Sequence, residues 1–83
     1  MKKVIISVKD TVAEIFNDPR TEINTASAIR AFTQSIGDNK NKDDFVMYIV
    51  GEFNTDNGEI TPCEPVKIYS GHDVSYTQEV QAA

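Results

Sequence analysis

The residues of this chain best suited to chemistry are its scattered cations and rings. Lys2, Lys3 and Lys9 bracket the apolar run "VIISV" at 4–8. Arg30 sits in "INTASAIRAF" at 23–32, and Tyr48 lies within "FVMYIVGEF" at 45–53. Cations of this kind meet phosphates, and aromatic rings on an open sheet face stack on unpaired bases. The set Lys2, Lys3, Lys9, Arg30 and Tyr48 is therefore the candidate nucleic-acid surface, with Tyr69 as a second ring beside Tyr48. Each member also has a plainer role. Lysines at strand ends keep an edge soluble, and tyrosines fill cores and interfaces. An arginine flanking an apolar stripe packs its stem and leaves its head to water, an acidic loop or a phosphate.

Other site chemistries find few parts. Cys63 is the single cysteine, so it has no internal disulfide partner and no cluster for a metal. His72 is the single histidine, and next to Asp73 it lacks a nucleophile to activate. The loops "DNKNKDD" and "NTDNGE" resemble calcium loops only faintly. The ligand spacing is wrong, and Lys40 and Lys42 stand where oxygen donors belong. The expectation is a non-catalytic protein with no cofactor and no metal.

Net charge is −5, unevenly divided. Residues 1–42 hold seven cations and five acids, net +2; residues 43–83 hold Lys67 and eight acids, net −7. A negative total repels nucleic acid at long range, so phosphate contact has to come from the first half.

The elements that must position these residues follow from periodicity. "VIISV" alternates as a strand, with Val4, Ile6 and Val8 on one face and Ile5 and Ser7 on the other. "VAEIF" at 12–16 suits a second strand, making a hairpin, although a short helix over 12–17 competes. "NDPR" at 17–20 is a proline turn. Asn24 or Thr25 caps a helix over about 25–36, whose stripe is Ala28, Ile29, Phe32 and Ile36, and Gly37 stops it. Next comes "FVMYIVGEF". Phe45, Met47, Ile49 and Phe53 lie on one face, and Val46, Tyr48 and Val50 on the other. A turn at Asn57 and Gly58 leads to a returning strand, "EITPCEPVKIYS", whose Pro62 and Pro65 belong on an edge or at a bulge.

The predicted fold is α+β: a four-stranded antiparallel sheet in β-β-α-β-β order with the helix on one face. Residues 1–71 form the single domain and 72–83 a loose C-terminal tail, with a short strand near 74–77 as an option within it. The face away from the helix carries Ile5, Ala13, Ile15, Val46, Tyr48 and Val50. An apolar area of that extent is unusual on a monomer. Ile5, Ile15, Val46, Tyr48 and Val50 are thus the candidate face for another copy of the chain or for a protein partner. No apolar run reaches the ~20 residues of a membrane helix, and the start is too short for a signal-peptide core. A cytosolic protein with no membrane partner is expected.

Three segments carry a family resemblance: "VKDTVAEIFNDP", "NTASAIRAF" and "DFVMYIVGEFNTDNGEITPCEPVKI". In this order and spacing they resemble the small nonstructural protein of microviruses, single-stranded DNA phages, on the gokushovirus-like branch. The resemblance covers about residues 4–71. Its most specific pieces are N-x-A-x-A-I-R-x-F at 24–32 and G-x-F-(N/D)-x-x-x-G at 51–58, with Asn54 where Asp is more usual. It implies a non-virion protein in the cytoplasm of the infected bacterium. There it would support single-stranded genome synthesis or its coupling to packaging, binding DNA or the replication complex. It implies no catalytic motif.

Two readings stand beside each other. One is a phage accessory protein touching single-stranded DNA, supported by the resemblance and the basic first half. The other is an oligomeric protein–protein module, supported by the two-faced apolar strand and the acidic balance. That balance fits the replication initiator or the procapsid as partner, with DNA touched weakly or through that partner.

Overall fold

The computed structural model describes residues 1–74. Five strands form one antiparallel sheet: β1 (Lys2–Asp10), β2 (Ile15–Phe16), β3 (Arg20–Glu22), β4 (Phe45–Asn54) and β5 (Ile60–Ser70). The one α-helix among the described residues, α1 (Thr25–Ile36), lies between β3 and β4 in the chain. The sheet order is β2-β1-β4-β5, with β3 also paired to β1. Because β4 pairs along the whole of β1, the short β2 and β3 share its other edge.

The α+β class, the single helix and the antiparallel sheet agree with the sequence reading. The β-β-α-β-β order does not, because β3 adds a strand before the helix. Its three residues, Arg20, Thr21 and Glu22, are polar or charged and follow Pro19, so they carry no apolar alternation. Pairing with Val4–Ile6 makes them a strand. The expected strand over 12–16 shrinks to Ile15–Phe16. Asp10 causes this: its carboxylate accepts from the amides of Val12 (3.0 Å) and Ala13 (3.1 Å) and winds residues 11–14 into a turn. Glu14 closes the turn with a left-handed φ of 59°.

The helix starts as the sequence indicates. The Asn24 side chain accepts from the Ser27 amide at 2.8 Å. Ala28 and Phe32 are buried against Ile6 and Met47, with Ile29 and Ile36 partly buried beside them. Phe32 meets Tyr69 edge to face, centroids 6.2 Å apart. Twelve helical residues cover about 18 Å, whereas the eleven of β5 run about 37 Å. The molecule is accordingly long and thin, 47 × 28 × 16 Å, and every residue from Ile60 to Lys67 is exposed.

The β4–β5 connection is a five-residue loop, 55–59, rather than a two-residue turn. The Asn54 side chain accepts from the Asp56 amide (2.8 Å) and that of Asn57 from the Glu59 amide (2.9 Å), and Gly58 takes φ +77°.

The fold also continues past residue 71. Ser70 and Asp73 cap a 3₁₀ turn over Gly71–Asp73, and Val74 enters the core at 4 % exposure. A domain boundary at 71 is therefore too early. The option of a strand near 74–77 and the rest of the tail lie outside the described residues, apart from Val74, which follows the 3₁₀ turn as its C-cap.

Candidate nucleic-acid interface

Strand register decides which side chains share a face. In an antiparallel pair, directly opposed residues point to the same side. Along β1, Val4, Ile6 and Val8 face the helix, so Lys3, Ile5, Ser7 and Lys9 occupy the open face. Four rows cross that face. Phe16, Lys9, Val46 and Ser70 make the first, and Ser7, Tyr48 and Lys67 the second. Thr21, Ile5, Gly51 and Pro62 make the third, and Lys3, Phe53 and Ile60 the fourth.

A bulge produces the last two rows. Ile49 opposes Ile6, yet Gly51 opposes Ile5, so Val50 is an extra residue without a β1 partner. One inserted residue exchanges the two faces of everything beyond it. Phe53, expected on the side of Phe45, Met47 and Ile49, therefore lies opposite Lys3 on the open face. Glu52, expected beside Tyr48, lies opposite Val4 on the helix side. Gly51 suits the crossing: a Cβ there would come within 2.7 Å of the Thr61 carbonyl oxygen.

The rows sort the acids of the paired positions to one face and divide the cations, with Lys2 and Arg20 on the helix side. Lys3, Lys9 and Lys67 all fall on the open face. Among the paired strand positions of the described residues, the acids Asp10, Glu22 and Glu52 fall on the other. The remaining acids of the described residues sit in turns, in the hairpin tip or, for Glu64, in the irregular stretch of β5. The rings sort likewise. Phe16 and Tyr48 meet edge to face with centroids 5.1 Å apart, and the Lys9 ammonium stands 5.5 Å from the Phe16 centroid. Ser7, small and buried between them on β1, donates to the Asn17 carbonyl at 2.6 Å.

Of the candidate nucleic-acid residues, Lys9 and Tyr48 thus come together, and Lys3 shares their face about 20 Å along β1 from Lys9. Lys2 pairs with Asn54 and falls on the helix side, and Arg30 lies exposed on α1, in the other layer. Tyr69 faces the helix against Phe32, so it does not pair with Tyr48. Sequence reasoning missed Phe16, Phe53 and Lys67 because the turn at 11–14 and the strand bulges are invisible to strict alternation. Of the candidate partner face, Ile5 and Tyr48 are half-buried on the open side and Val46 is nearly covered. Val50 is the bulge residue. Ile15 opposes Asp10, on the helix-side parity, and Phe16 takes the place expected for it.

A second cluster ties the 3₁₀ turn Lys42–Asp44 to that of Gly71–Asp73. Buried Lys42 donates from Nζ to the Gly71 carbonyl (3.1 Å) and to Asp43 (3.2 Å). The Lys42 hydrogen bond, aided by its charge and by His72, holds the Asp43 carboxyl below its ordinary value of 3.8. His72 Nδ1 stands 3.6 Å from Asp43. These contacts clasp the two 3₁₀ turns together.

Among the described residues no group of three metal-binding side chains converges. None of their helices is long and apolar enough to cross a membrane. Residues 3–74 match the family described as Phage ORF5 protein. The chain belongs to that phage protein family. No curated protein and no solved structure matches it.

Proposed function

We propose that this phage protein is a non-catalytic accessory factor that binds single-stranded DNA on the open face of its sheet. In the cytoplasm of the infected bacterium, and outside the virion, it would support genome synthesis or the coupling of synthesis to packaging. The similarity to the small nonstructural proteins of microviruses supports this setting. The observation that carries the reading is the sorting of charge: three lysines share a face with Phe16, Tyr48 and Phe53, while the paired acids turn away. A net negative chain can thus offer a locally positive, ring-bearing surface.

The test is a titration of labelled single-stranded DNA at low and moderate salt. Saturable binding that weakens as salt rises is expected. Absence of binding at low salt would refute direct contact.

A second reading, self-association or docking on another protein such as the replication initiator or procapsid, is favoured by the far end of the β4–β5 hairpin. Ile60 is 62 % exposed there, and Val66, farther back along β5 opposite Ile49, is 54 % exposed; the two lie on opposite faces. If this hairpin is the contact, the solution mass exceeds that of a monomer at micromolar concentration, and Ile60→Asp returns it to monomer.

A further inference from the structure

We propose that Phe16 and Tyr48 form a base-stacking platform that selects unpaired strands without regard to sequence. The proposal deepens the reading of the open face as a single-strand surface and rests on it.

The two rings belong to strands on opposite sides of β1, about 10 Å apart in backbone. They meet over β1 because Ser7, the residue between them, is small. Phe16 is 40 % exposed and stands outside the core built around Ile6, Phe32 and Met47. An exposed phenylalanine in a two-residue strand adds little to folding, yet this one is held in a fixed ring pair. Lysines flank the pair on both sides: Lys9 beside Phe16, and Lys67 opposite Tyr48. The Lys9 ammonium, at 5.5 Å, already occupies the cation position over the Phe16 ring. A base arriving on that ring displaces it by a side-chain rotation, which leaves the ammonium free for the adjoining phosphate. Lys67 is exposed and available to the next phosphate.

Every base has a π-face, so stacking tolerates any sequence. A duplex keeps those faces inside its own stack, so the same platform discriminates against paired DNA. Phosphate contact alone would not make that distinction, because a duplex has the denser charge.

The test compares three labelled probes of equal length over one matched salt series: a mixed-sequence single strand, the same strand annealed to its complement, and an abasic single-stranded backbone. The wild-type chain is expected to bind the natural single strand roughly tenfold or more tighter than either of the others. Phe16→Leu/Tyr48→Leu should bind the natural and abasic strands alike and the duplex at least as tightly, with an unchanged salt slope. Phe16→Leu alone, a change at an exposed site, should lose part of the preference while thermal unfolding verifies its fold. Equal wild-type affinity for the natural and abasic strands would overturn the stacking platform and leave the phosphate surface standing. Absence of binding to all three would overturn the single-strand surface itself, and the platform with it. A concentration-dependent solution mass would then assign the face to a second copy.

Discussion

The two faces of the sheet are built from the same three long strands and have opposite characters. Toward the helix, Ile6 and Met47 are at most 1 % exposed and close against Ala28 and Phe32. On the open side the same strands present Lys3, Lys9, Lys67, Tyr48 and Phe53, and β2 adds Phe16. These buried helix-side residues answer to packing, since removing one leaves a void that neighbours cannot fill. The open-side residues carry polar heads and rings that packing does not require. The comparison teaches that an acidic composition describes the molecule and not its surfaces.

The comparison breaks most easily on the covered side. Phe32→Ala should cost about 3–5 kcal/mol, a large part of the stability of so small a domain, and chemical denaturation would measure it. Gly71→Ala, in the clasp that closes one end of the fold, should cost about 3 kcal/mol, because a Cβ there would overlap the Lys42 carbonyl, which is backbone and cannot turn aside. On the open side the pattern inverts. Replacing Lys3, Lys9 and Lys67 together with Gln should shift stability within about 0.5 kcal/mol per site. The same variant should flatten the salt dependence of single-strand binding by about 2 in log–log slope.

The smallest effect belongs to Asp43, the exposed carboxylate of the clasp, which lies on neither face. Asp43 is held below its ordinary value, so its share of stability is complete above about pH 4 and disappears as pH falls through the lowered value. Asp43→Asn should remove that acid-limb dependence, read from thermal unfolding at a series of pH values, and leave single-strand affinity unchanged.

The covered face was legible in the sequence because burial imposes a period. Val4, Ile6 and Val8 alternate on β1, and Ala28, Ile29, Phe32 and Ile36 recur at helical spacing. The open face was legible only as far as Lys3, Lys9, Ile5, Ser7, Val46 and Tyr48. Beyond Ile49 the Val50 bulge reverses the alternation, which moves Phe53 onto the face and Glu52 off it. Apolar runs such as Ile49–Val50 do not show where a bulge will fall. Ile15 is expected on this face and Phe16 stands there instead, because the Asp10 turn changes where the following residues enter the sheet. The strand Arg20–Glu22 exists through its partner rather than its composition, so no local signal announces it.

The most direct test of the open face as the DNA surface is a residue-resolved one: amide chemical shifts followed by NMR while single-stranded DNA is added. The account predicts saturable shifts centred on Lys3, Lys9, Phe16, Tyr48 and Lys67, with the outer side of α1 around Arg30 unmoved. Shifts centred on Arg30 and the helix, with the open face silent, would contradict it.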